Sequence, residues 1–232
     1  MGQVLATPPE YAIEADDFVG TAERGDEDKL FNELLTASGM YLNAKRSSDG
    51  MTALAAAIAA QRISLATILL RDYDGVDVNK GDADGRTPLM YAAAGGDAAL
   101  VALLLERGAK VSATDSDNWT ALHHAAAGGE APALQELLEL GAASQLDVRD
   151  RAGQTALHVA VYAEAPAAFR VLLAAGADAD LRDDEGETAL AYARGADAET
   201  EFHTLYAMHM ERRLDAQREG DALLAAEGDK NV

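Results

Sequence analysis

An all-α solenoid of about six helix-turn-helix repeats, with hairpin fingers between them and a C-terminal helical extension, is the fold class this sequence predicts. Three observations carry that reading. The first is a period: a threonine returns at Thr52, Thr87, Thr120, Thr155 and Thr188, in steps of 35, 33, 35 and 33 residues. The second is a pair of apolar columns in register with it. Leu54, Leu89, Leu122, Leu157 and Leu190 form one, and Leu104, Leu138 and Leu172 the other. No single repeat can bury such columns alone, so the repeats must stack. The third is turn chemistry just before each threonine, where Gly50, Gly85, Gly153 and Gly186 share a column with Asn118. These residues tolerate the positive φ that a tight turn demands.

The elements follow in chain order. Residues 1–12, with Pro8-Pro9, read as an extended N-terminal arm. Residues 13–45 keep a helix-glycine-helix rhythm without the threonine box, as a polar-faced capping repeat does. Ordered structure is expected to start near Asp16. The repeats then occupy 46–205. Pro88 stands where a first helical N–H would be unpaired in any case. Gly95-Gly96 and Gly128-Gly129 separate two short antiparallel helices. Two extra residues at Tyr73-Asp74, and two more around Ser144-Gln145-Leu146, account for the longer steps; the second insertion should make its hairpin project beyond its neighbours. In the last repeat a first helix from Ala189 to Arg194 should pass through Gly195 into a long helix from Asp197 to Glu219. Residues 206–232 form the C-terminal extension and tail.

The tetrapeptides Thr-Ala-Leu-Ala at 52–55 and 188–191, Thr-Pro-Leu-Met at 87–90, and Thr-Ala-Leu-His at 120–123 and 155–158 each lead into a helix pair. Three of those pairs end on Leu-Leu followed by Gly-Ala: Leu104-Leu105/Gly108-Ala109, Leu137-Leu138/Gly141-Ala142 and Leu172-Leu173/Gly176-Ala177. In these motifs the chain resembles the ankyrin-repeat family. The resemblance covers roughly residues 16–205 and implies an ankyrin-repeat α-solenoid that acts by binding other proteins. It also implies that His123 and His158, at the family's box position, hydrogen-bond within and between turns.

Composition narrows the remaining classes. The chain carries 40 acidic and 19 basic residues, for a net charge of -21. Phosphate binding needs clustered Lys and Arg, so nucleic acid is not the expected ligand, and the complementary partner is a protein with a basic surface. Cysteine is absent, which removes disulfides and thiolate metal sites. No apolar run reaches the ~18 residues of a membrane span. No Lys or Arg precedes Arg24, so neither a secretory signal nor a transit peptide is expected. Localisation is expected to be cytoplasmic, with the nucleus and the cytoskeleton included. Gly2 matches myristoylation only in part, because Ala6 stands where Ser or Thr belongs. Asn118-Trp119-Thr120 spells a glycosylation sequon by chance, in a repeat turn.

Catalysis is not expected. Nucleophile elbow, phosphate loop and dinucleotide fingerprint are all missing, and the carboxylates recur at repeat positions instead of converging. His203 and His209 lie six residues apart, a spacing that does not put two metal ligands on one helix face. Metal: none; cofactor: none.

Partner-binding candidates come from the finger positions. The residue before each box threonine gives the row Met51, Arg86, Trp119, Gln154 and Glu187, expected to point into the concave groove. Beside it runs Asp49, Asp84, Asp117, Ala152 and Glu185, acidic in four of five places. Tyr162 joins them. The first acid of each turn, Asp82, Asp115, Asp150 and Asp183, is assigned instead to local backbone N–H groups. Trp119, the single Trp, is expected to face solvent as a binding anchor, with Asp84, Asp117 and Glu185 as its acidic rim. The reading is a non-enzymatic scaffold or adaptor; a structural subunit of a large assembly, or an assembly chaperone or inhibitor, is the alternative.

Overall fold

The computed structural model of the protein describes residues 9–30, 41–193, 201–212 and 214. Its middle is a stack of helix pairs: α2 (Ala53–Ala59) with α3 (Ile63–Asp72), α4 (Pro88–Ala94) with α5 (Ala98–Glu106), α6 (Ala121–Ala127) with α7 (Ala131–Glu139), and α8 (Ala156–Tyr162) with α9 (Pro166–Ala175). Helix α1 (Pro9–Arg24) packs on α2. Among the described residues the extended structure is limited to an isolated bridge, Arg182 to Thr188.

Each first helix is only seven residues long, too short to persist alone. Two features make it form. The box threonine caps it: the Thr52 hydroxyl accepts from Ala55 N–H at 3.3 Å, and the Thr87 hydroxyl from Met90 N–H at 3.4 Å. In α6 and α8 a histidine completes the cap, with Nδ1 of His123 and His158 accepting from the backbone N–H of Thr120 and Thr155 at 3.2 and 3.3 Å. The second feature is burial on every side. Ala53 to Ile58 and Ala156 to Val161 are buried without a break, which marks a helix enclosed by neighbours. The second helices bury one face only, as α5 does with Leu100, Val101 and Leu104.

The fingers are joined to one another. Ala83 N–H donates to Asp49 C=O at 2.9 Å, Ser116 to Asp84 at 2.7 Å, Arg151 to Asp117 at 3.0 Å and Asp184 to Ala152 at 3.0 Å. Every turn therefore satisfies a backbone group of the turn before it. This ladder holds the fingers in a row.

Four expectations need correction. Helix α1 starts at Pro9, so the last part of the extended arm and the residues before Asp16 belong to a helix; Pro9 sits at its first position, where its fixed φ is already helical. The insertion around Ser144 does not form a longer hairpin. It folds into a 3-10 turn, Ala142–Gln145, because Ala142 and Leu146 are buried beneath it. The last box makes only a 3-10 turn, Ala189–Tyr192, in place of a helix to Arg194. A boundary at residue 205 also falls inside the helical segment 201–212, whose Phe202 meets Phe169 edge-on at 5.1 Å and is fully buried. That segment is part of the stack. The capping-repeat residues 31–40, the tail after 214, and Gly2 with its lipidation reading lie outside the described residues.

Candidate functional site

The turn carboxylates supply the frame of the site. One oxygen of Asp82, Asp115, Asp150 and Asp183 accepts two backbone N–H groups of its own turn, all at 2.8–3.0 Å: Asp84 and Arg86, Asp117 and Trp119, Ala152 and Gln154, Glu185 and Glu187. This is the local role expected of these acids. The second oxygen takes a side chain nine residues downstream. Tyr91 Oη donates to Asp82 at 2.5 Å, His124 Nε2 lies 2.9 Å from Asp115, and Tyr192 Oη donates to Asp183. The Asp183 bond holds the Tyr192 phenol up at about 12, so it remains a donor at neutral pH.

In the repeat containing Asp150 that pattern breaks. The residue nine positions on is Val159, which has no donor, and Trp119 of the preceding repeat reaches across instead: its Nε1 donates to Asp150 Oδ2 at 2.9 Å. The indole is half-buried, stacked on His123 with ring centroids 6.1 Å apart and edge-on to His124 at 5.2 Å. Trp119 is therefore also a joint between repeats, not a purely solvent-facing residue. Its position before the box threonine brings it near the groove, but the acceptor on the next repeat turns its polar edge inward.

The short side chain of Val159 leaves a groove of about 630 Å³ between Trp119 on one side and Tyr192 on the other. Tyr162 forms a third aromatic wall and is 69% exposed. Ala127 and Ala163 complete the apolar lining, and Gln154 and Glu185 supply its polar groups. No cation lines it.

The remaining candidates are distributed along the fingers. Asp84, Asp117, Glu185 and Glu187 are exposed at the turns, and Asp117 lies 4.0 Å from Arg151. Arg86 is half-buried, with Nε 3.8 Å from Asp115 Oδ2, so its charge is turned toward its own stack. Met51 is likewise half-buried, its sulfur 3.7 Å from Arg46 Nη2. The structure brings Trp119, Gln154, Tyr162 and Glu185 to one groove, and leaves Met51, Asp84, Arg86, Asp117 and Glu187 outside its lining. Val159 and Tyr192 were missed. The nine-residue step from each turn Asp was the signal that could have found them.

His123, His124 and His158 serve the stack. Nδ1 of His123 and His158 accepts from the box threonine, so Nε2 carries the proton and faces the carbonyls of Gln154 and Glu187 on the next repeat, each at 3.3 Å. Burial pushes His123, His124 and His158 below the usual histidine value. Among the described residues no three His, Asp or Glu side chains come together in a way that could hold a metal ion, and no helix is long and apolar enough to cross a membrane.

The family model described as ankyrin repeats in three copies matches residues 19–115 and 112–183. The nuclear factor NF-kappa-B p105 subunit of Mus musculus is 43% identical over 76 residues, which is 33% of this chain and 8% of that protein. Inversin of Homo sapiens is 34% identical over 152 residues, 66% of this chain and 14% of that protein. The chain thus spans only a small part of these relatives.

Proposed function

The chain belongs to the ankyrin-repeat family, whose repeats bind other proteins, and from that premise we propose that it is a non-enzymatic scaffold or adaptor that receives a basic protein surface along its fingers and groove. The observation that carries this reading is the row of acids at the fingers. Asp82, Asp115, Asp150 and Asp183 are consumed within the stack, by their own turns and by Tyr91, His124, Trp119 and Tyr192, whereas the side chains of Asp84, Glu185 and Glu187 are exposed and make no hydrogen bond or ion pair among the described residues. In a chain with 40 acidic and 19 basic residues these spare carboxylates give the finger face a sustained negative potential, which steers and orients a basic partner. The cytoplasm is the compartment in which we expect that partner.

The test is affinity capture from a native extract with the wild-type chain and with Asp84→Lys/Asp117→Lys/Glu185→Lys. All three positions are exposed, so the variant should fold. Proteins captured by the wild type and lost by the variant are the expected result; an unchanged set of captured proteins would contradict the reading.

A further inference from the structure

We propose that the groove at Val159 is a pocket for one arginine side chain of the partner. This rests on the reading of the finger face as the partner-binding surface, and it names the anchor within it.

The pocket follows from a substitution in the repeat pattern. Tyr91, His124 and Tyr192 occupy equivalent places and each fills the space above its turn carboxylate. Val159 does not, and the indole that takes its hydrogen bond comes from the side. What remains is an opening with an apolar floor at Val159, rings of Trp119 and Tyr192 at its flanks, and Tyr162 at the mouth.

The polar edges of two rings are already committed. Trp119 Nε1 donates to the Asp150 carboxylate and Tyr192 Oη to that of Asp183. The rings thus have no N–H or O–H left to donate into the groove, and what they offer it is the electron density of their π-systems. Donation to a carboxylate increases that electron density, and a cation over such a face is attracted by the ring quadrupole. An acid completes the site: Glu185 lines the groove, is exposed, and has no hydrogen bond or ion pair among the described residues. A simple aliphatic side chain would match the floor but leave this carboxylate unused. Arginine fits the set better than lysine, because a flat guanidinium can stack on an aromatic wall while directing paired N–H groups to Glu185.

Trp119 is the single Trp of the chain, so its emission reports on this pocket alone. The experiment titrates the full chain with a short glycine-lysine peptide carrying one central arginine, and with its twin carrying citrulline there, following peptide anisotropy and Trp119 emission. The arginine peptide should bind about tenfold more tightly and shift the emission. Glu185→Gln and Tyr162→Ala, both at exposed positions, should bring the two peptides together. Val159→Tyr, which fills the opening as Tyr192 fills its own place, should do the same. Equal affinities with unchanged emission would overturn the arginine pocket while leaving the basic-partner reading standing; no binding of either peptide would overturn both.

Discussion

Trp119 and Asp150 are joined across a repeat boundary by an indole-carboxylate hydrogen bond of 2.9 Å, at the place where Val159 cannot supply the donor. The consequence is that one side chain both ties two repeats together and walls the groove. Trp119→Phe keeps most of the apolar area but leaves Asp150 Oδ2 without its partner, so it should destabilise the chain by about 1–3 kcal/mol. In a Val159→Tyr background the new phenol can take over, and the loss should shrink. Urea unfolding of the four chains measures this coupling; strictly additive effects would separate Trp119 from Asp150.

Leu122 is fully buried in the stack, between neighbours of the same column. Leu122→Ala should cost about 2–5 kcal/mol, by lost transfer energy and the cavity left behind. A midpoint close to wild type in chemical denaturation would remove Leu122 from the core.

Backbone conformation sets a third expectation. Gly50 has φ +71°, and a Cβ there would lie 2.8 Å from the backbone nitrogen of Ala83, within the ladder that joins the fingers. Gly50→Ala should destabilise by at least about 1 kcal/mol. Asn118 adopts φ 62° in the equivalent place, so Asn118→Gly should be tolerated. Thermal melts of the two variants give the comparison.

The repeat histidines give stability a direction with pH. Burial lowers His123, His124 and His158 relative to the ordinary value of 6.5. All three are neutral in folded and unfolded chains above that value, and their contribution is whole. As pH falls through about 6.5 the unfolded chain takes up protons that the folded chain resists, so stability drops, and the loss continues down to the lowered folded values. His158→Gln keeps a side chain able to close the capping box but cannot titrate, and it should flatten this dependence. Denaturation midpoints compared between about pH 7.5 and pH 5 test the sign.

Much of the stack was legible in the sequence because its causes are local. A threonine caps the seven residues that follow it, glycine or asparagine takes the positive φ before it, and leucines return at one period. In the sequence Pro9 reads as part of an arm because its neighbour Pro8 points to extended chain, although a proline also starts a helix well. The last box matched the others in spelling, yet only a 3-10 turn formed at Ala189–Tyr192. The groove was the least legible part. Trp119, Tyr162 and Glu185 were visible singly as candidates, but their neighbour is a deficiency: Val159 stands where the pattern calls for a donor, and Asp150 is completed from another repeat. Such a match is settled by distance between repeats, not by spacing within one.

Hydrogen exchange of the chain, alone and with its captured partner, tests the central claim most directly. Slowed exchange confined to the finger turns at 82–87, 115–120, 150–155 and 183–188, together with the groove around 159–163, is the result this account predicts. Protection on α3, α5, α7 and α9 with the fingers unchanged would place the binding surface on the other side of the stack and contradict it.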